Sequence, residues 1–224
     1  MKYFDAHCHD YKFLPNVIGA IVNAIDEDNW QKVISAQSEN VFGAIGIHPW
    51  YVKCVCDGWE IRLHNALLDA PDLMVGEIGL DNTRDDMELQ ESVFDIQLKI
   101  ANELKRVANI HCVRAWDKML GIVKNVPDIP ALIFHAFSGN SDIIKQLPDN
   151  SYFSYGMEIV RNDTAKSRDR IIATPNDRLL VETDDEDSDN LHLIVMKIAE
   201  IKQLSNEQIA DIIFDNSLRI VSHG

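Results

Sequence analysis

Short apolar runs alternate with longer stretches of helical period along the whole chain, and that alternation restricts the fold more than any other feature. A parallel strand buried on both faces reads as a short continuous apolar run, and the link to its neighbour must be long enough to hold a helix. Candidate strands lie at 2–6, 17–23, 41–47, 73–77, 106–111, 131–135, 151–155 and 178–183. Between several of them stand amphipathic segments. "DEDNWQKVISAQ" opens on acids suited to a helix N-terminus, and "MELQESVFDIQLKIANELK" spaces Leu89, Val93, Ile96, Ile100 and Leu104 along one face. "RAWDKMLGIVKN" and "NLHLIVMKIAEIKQ" have a similar amphipathic pattern, and "SNEQIADIIFDNSLRIV" starts at a Ser suited to an N-cap and closes the chain as a last helix. Eight strands with interleaved helices in 224 residues predict one domain, 1–224, folded as a (β/α)8 TIM barrel of the α/β class.

In such a barrel the chemistry sits at the C-terminal ends of the strands. The residues expected there are His7 and His9 after the first strand, His48 after the third, Glu77 at the fourth, His111 at the fifth, His135 at the sixth, Tyr155 at the seventh and Asp184 after the eighth. Five of the eight histidines fall on this rim, whereas His64, His192 and His223 do not. Residues i and i+2 of an extended segment point the same way, so "HCH" aims two imidazoles at one point near the barrel axis. Alone, His-x-His is more often a solvated pair than a ligand pair. Here His111, His135, Glu77 and Asp184 arrive from four other strands, which together supply enough donors for two divalent ions. Imidazole and carboxylate without thiolate suit Zn, Mn, Mg, Fe or Co. Two ions about 3.5 to 4 Å apart bind both partners of a displacement and make hydroxide available near neutrality, with a carboxylate such as Asp184 taking the proton.

Charge sets a limit on partners. The formal net charge of −15 excludes a broad nucleic-acid footprint, because affinity for a phosphate backbone comes mostly from clustered Lys and Arg. Six carboxylates stand between Glu182 and Asp189, and beyond Asp184 that run reads as a solvated loop. Any grip on a polyanion is therefore expected to be local, from the metals and residues such as Arg114, Arg161, Lys166 and Arg168. The N-terminus lacks the apolar run of a signal peptide, and "VIGAIVNAI" is too short to span a bilayer, so a cytoplasmic protein without membrane contact is expected. The four cysteines have no CxxC spacing and read as reduced packing residues, and no feature calls for an obligate protein partner.

Seven motifs, "DAHCH", "GIHPW" at 46–50, "VGEIGLD" at 75–81, "IHCVRAWDKML" from 110, "FHAFSG" at 134–139, "FSYG" at 153–156 and "NDRLLVETD" at 176–184, resemble in type and order those of the TatD-type metal-dependent hydrolases of the amidohydrolase superfamily. The resemblance implies a (β/α)8 fold and two divalent ions. By position it makes His7, His9 and Asp184 ligands of one ion, His111 and His135 ligands of the other, and Glu77 the bridge, with Glu77 and Asp184 as the catalytic carboxylates. His48 resembles a family histidine that contacts substrate or supports the pocket, and Arg114 and Tyr155 are further expected substrate contacts. The family implies a deoxyribonuclease that cleaves phosphodiester bonds at DNA ends with a metal-activated hydroxide. The chain departs from the pattern at Val113–Arg114, where the usual arginine is absent or shifted by one, and after "ETD", where "DEDSD" replaces the usual small residue and proline. These departures favour a second reading, a dinuclear esterase, lactonase or amidase acting on a small molecule; a third, a barrel that has lost catalysis and serves as a binding partner, is opposed by the six intact ligand positions.

Overall fold

A computed structural model describes residues 1–11 and 14–222; His223 lies outside the described residues. Eight strands, β1 (Tyr3–Cys8), β2 (Val17–Asn23), β3 (Val41–Ile45), β4 (Met74–Asp81), β5 (Ala108–Val113), β6 (Leu132–Phe134), β7 (Ser151–Tyr155) and β8 (Leu179–Val181), form one parallel sheet in sequential order. The helices between and after them are α1 (Glu27–Ala36), α2 (Trp59–Asp69), α3 (Met87–Leu104), α4 (Trp116–Val123), α5 (Ser141–Gln146), α6 (Glu158–Arg161), α7 (Ala165–Ala173), α8 (Leu191–Lys202) and α9 (Asn206–Val221). Among the described residues no helix joins β1 to β2, and none of the helices is long and apolar enough to cross a membrane.

The two ends of the sheet meet. Asp184 N–H donates to His7 O at 2.9 Å, Cys8 bridges Asp184 in parallel register, and the buried Asp5 carboxylate accepts from Thr183 N–H at 3.0 Å and from the Thr183 hydroxyl. Burial pushes the Asp5 carboxyl up to about 7, although both Thr183 bonds pull the other way. The result is the expected (β/α)8 barrel.

Strand side chains divide between two packing layers. Ala108, Ile110, Leu132, Phe134, Leu179 and Val181 join the helix residues Leu63, Phe94, Met119 and Ile198 in the outer layer. Val107, Ile133, Tyr152, Leu180, Phe4, Ile21 and Met74 fill the barrel, closed off by Ile220 of α9. Following the inward column of β5 upward gives Val107, Asn109 and His111; β6 gives Ile133 then His135, and β8 gives Leu180, Glu182 and Asp184. The period of two that buries apolar residues at the base therefore aims polar ones into the rim.

Two expectations about the elements change. β4 runs four residues past Glu77, so this carboxylate lies inside a strand, 2% exposed, and not at a strand end. Gly79 allows the extension: its φ of +150° and lack of a Cβ let β4 press against β5, where a Cβ would stand 1.9 Å from His111 O. Helices α2, α5, α6 and α7 were not singled out from sequence. α5 and α6 have only 6 and 4 residues, too few to show a period, whereas α2 buries Trp59, Leu63 and Leu67 at a spacing that could have been read.

Candidate metal centre

Glu77 stands at the centre of the rim, and its two oxygens face different partners. Oε2 lies 3.4 Å from His7 Nε2 and 3.4 Å from His9 Nε2. Oε1 lies 2.8 Å from His135 Nε2, 3.0 Å from His111 Nδ1 and 3.2 Å from His48 Nε2. Asp184 Oδ1 completes the first side, 3.7 Å from His7 Nε2 and 3.4 Å from His9 Nε2. His7, His9 and Asp184 form one group whose ligand atoms converge closely enough to hold a metal ion, and His7, Glu77 and His135 form another.

A metal-binding imidazole must present a bare nitrogen, which its other nitrogen secures by donating to an acceptor. His7 Nδ1 lies 3.0 Å from Asn109 Oδ1, and His9 Nδ1 lies 2.9 Å from Asn23 O. Behind His135, Nδ1 faces Glu182 Oε1 at 3.5 Å; behind His111, Nε2 faces Asp81 Oδ2 at 3.5 Å. His48 is different. Its Nδ1 accepts from Trp50 N–H at 3.2 Å, so the proton of the neutral ring sits on Nε2 and points at Glu77. The His48, Glu77 and His111 atoms also converge, but this tautomer makes His48 a hydrogen-bond donor and removes it from the ligand set.

The electrostatics follow from crowding five imidazoles around two carboxylates. Burial alone would raise the Glu77 carboxyl, yet His135, His7 and His48, with a hydrogen bond from His111, hold it well below the usual range. Asp184 is likewise held low against burial by His9, His7 and His135. For His9, burial opposes charging, but Asp184 and Glu77 push it up to about 9. His135 is raised well above its ordinary value and His111 is raised, both against burial, by Glu77 together with Glu182 and Asp81 respectively. His48 moves down because burial prevails over Glu77.

The donor set fits divalent metal. His7 Nε2 is fully buried and has no hydrogen-bond partner, although it is aimed between Glu77 and Asp184. Without a cation, such an atom pays desolvation for nothing. The four nitrogens and two carboxylates include no thiolate: Cys8 Sγ points to Ile21 O at 3.6 Å, and all four cysteines are free.

His7, His9, Glu77, His48, His111, His135 and Asp184 therefore converge, while Tyr155 and Arg114 do not join them. Tyr155 is corrected: its ring lies in the outer layer and its hydroxyl bonds Thr174 Oγ1 at 2.7 Å, because a seventh-strand residue of this parity faces the helices. Arg114, at φ +52°, is exposed beside Asn82, Trp116 and Lys118 in a separate depression. Arg161 is engaged by Glu186 and Arg168 by Asp163 and Glu200, so neither offers a free cation. Sequence reasoning missed Asn109, Asn23, Glu182 and Trp50. Asn109 and Glu182 stand two residues before His111 and Asp184, a spacing that would have found them; nothing marked Asn23. Asp81 Oδ2 stands 3.5 Å behind His111 Nε2, whereas Asp5 ties β1 to β8 through Thr183.

Comparison with known proteins agrees with this geometry. A metal-dependent hydrolase of Escherichia coli K12, YjjV, is 31% identical over 210 residues, 83% of this chain and 80% of its own. The crystal structure of YjjV, a TatD homologue from the same organism, superposes with a TM-score of 0.88 over 97% of each chain at 25% identity. A protein of Pantoea ananatis named 3'-5' ssDNA/RNA exonuclease TatD is 28% identical over 172 residues, 72% of this chain and 64% of its own. Residues 4–222 match the model of the TatD related DNase family. A family match over nearly the whole chain, on a barrel whose strands bring carboxylates and imidazoles together at one rim, leaves one assignment: this chain belongs to the TatD family of metal-dependent hydrolases.

Proposed function

We propose that the protein is a dinuclear phosphodiesterase that removes nucleotides from the ends of single-stranded DNA. The observation that carries this is the division of labour at Glu77, with one oxygen toward His7 and His9 and the other toward His111 and His135. In this reading His7, His9 and Asp184 would hold one ion and His111 and His135 the other, with Glu77 a ligand shared by both groups. Such ions, when bound, polarise the phosphoryl oxygens and make a water acidic enough to ionise near neutrality.

The chain's own groups do the rest. Asp184 is ionised and its side chain is 41% exposed to the pocket, so it can take a proton from the attacking water. His48 Nε2–H is a fixed donor for a phosphoryl or leaving-group oxygen, and its low proton affinity keeps it neutral in that role. Asn109 and the Asn23 carbonyl hold His7 and His9 in one tautomer, and Asp81 and Glu182 place a carboxylate 3.5 Å behind His111 and His135. The nuclease names of relatives such as the Pantoea protein support a nucleic-acid substrate.

A second reading, hydrolysis of a small ester, lactone or amide, is favoured by the acidic surface. Arg161, in the depression that shares Asp184, and Arg168 on α7 are already engaged by carboxylates, which leaves little positive charge to follow a long polyanion. The test is metal content by elemental mass spectrometry together with release of mononucleotides from a labelled single-stranded oligonucleotide. About two ions per chain and release that depends on Glu77 are expected. Two ions with no release but turnover of a neutral ester would replace the first reading by the second.

A further inference from the structure

The mouth of the donor pocket is lined by Trp50, which remains 50% exposed although it belongs to the same turn as His48. An exposed indole is ordinarily a mobile one. This one is held in place: Nε1–H donates to Asp81 Oδ2 at 2.6 Å, the backbone N–H of the same residue donates to His48 Nδ1, and the His48 ring meets the indole edge-on at 5.2 Å. The guanidinium of Arg84 lies over the ring, 4.1 Å from the centroid. With one face under Arg84 and the Nε1 edge on Asp81, the exposed remainder is the other face and the outer edge. Arg84 itself has no ion-pair partner among the described residues, and neighbouring Asp86 pairs with Lys53 instead. A guanidinium without a carboxylate is notable beside "DNTRDD" in a chain of net charge −15.

An immobile aromatic face loses little rotamer entropy when a flat ligand covers it, and a stacked guanidinium keeps its outward N–H groups for a phosphate. We infer that Trp50 and Arg84 form a nucleotide clamp, in which the indole stacks a base and the guanidinium binds a backbone phosphate of a single-stranded substrate beside the scissile bond. This rests on the nuclease reading and names the group in the substrate that the acidic surface leaves to be recognised: one nucleotide at the pocket mouth, and not the length of a strand. It also explains how a strongly acidic protein can hold a polyanion at all, since stacking is indifferent to net charge.

The test is equilibrium binding without turnover. Fluorescein-labelled hexathymidylate and an abasic phosphodiester of the same length are titrated in EDTA at low salt and followed by anisotropy, with folding checked by circular dichroism. Wild type is expected to prefer the base-bearing strand about tenfold or more, and W50A to lose that preference. W50F, which keeps an aromatic face but loses the bond to Asp81, is expected to retain most of it. R84A is expected to weaken both ligands alike and lower the salt dependence by about one ion. Equal binding of the two strands by wild type, or an unchanged preference in W50A, would overturn the clamp. A preference that behaves as described, in a protein that releases no nucleotides when metal is restored, would uphold the clamp and overturn only the nuclease reading.

Discussion

The two ends of the barrel are built from the same strands and do opposite things. At the base the inward residues are Phe4, Ile21, Met74, Ile133, Tyr152 and Leu180, closed by Ile220. At the rim, one or two pleats further along, they are Asn109, His111, His135, Glu182 and Asp184, joined by His7, which follows a register shift in β1. The base gains by excluding water from carbon. The rim buries groups that want water or a cation and retains them by fixing each with a neighbour. Stability is thus concentrated at one end and chemistry at the other.

The sharpest way to break that comparison is at Glu77. Glu77→Ala is expected to lower kcat on the order of 10³-fold or more while the folded protein persists in circular dichroism. Retained activity would remove Glu77 from the chemistry. At the opposite end, Ile133→Ala is expected to cost about 2–5 kcal/mol in denaturant unfolding, with kcat of the folded fraction unchanged; a large kcat effect there would show that base and rim are coupled.

Between these extremes lies the support for the ligands. Asn109→Ala frees His7 Nδ1, and metal affinity is expected to fall about 10- to 100-fold in a competition titration. pH divides the two ends as well. In EDTA, His9 is held near 9 against an ordinary 6.5, so its contribution to stability is fully present below 6.5 and lost as pH rises through 9. The metal-free melting temperature should therefore fall over that window, while the increase produced by added metal should grow, because the cation no longer competes with a proton. A metal effect that is flat from 6.5 to 9 would place the ion elsewhere. The smallest change is expected of Tyr155→Phe, which loses one buried bond to Thr174, about 1 kcal/mol, and should leave KM alone. A raised KM would return Tyr155 to the substrate site.

Much of the rim was legible because its signals are local. "HCH" is two residues on one face, and His111, His135 and Asp184 follow apolar runs that can only be strands. Glu77 was legible as a carboxylate of the rim but misplaced within its strand, since the extension of β4 depends on how closely Gly79 lets it approach β5. Tyr155 misled because a strand's end can be read from sequence more easily than its parity. The tautomer of His48 was not legible at all: it depends on the hydrogen of Trp50 N–H, which a turn brings to Nδ1.

By itself, then, the sequence determined the barrel and the kinds of donor that meet in it, because apolar period and residue chemistry are properties of short stretches. Only the tertiary structure decided which nitrogen of each ring is bare, that Asn23 and Asn109 stand behind His9 and His7, and that Arg84 lies over Trp50. Those are contacts between strands and loops far apart in the chain, such as His7 with Asn109, and their geometry exists only once the sheet has closed on itself.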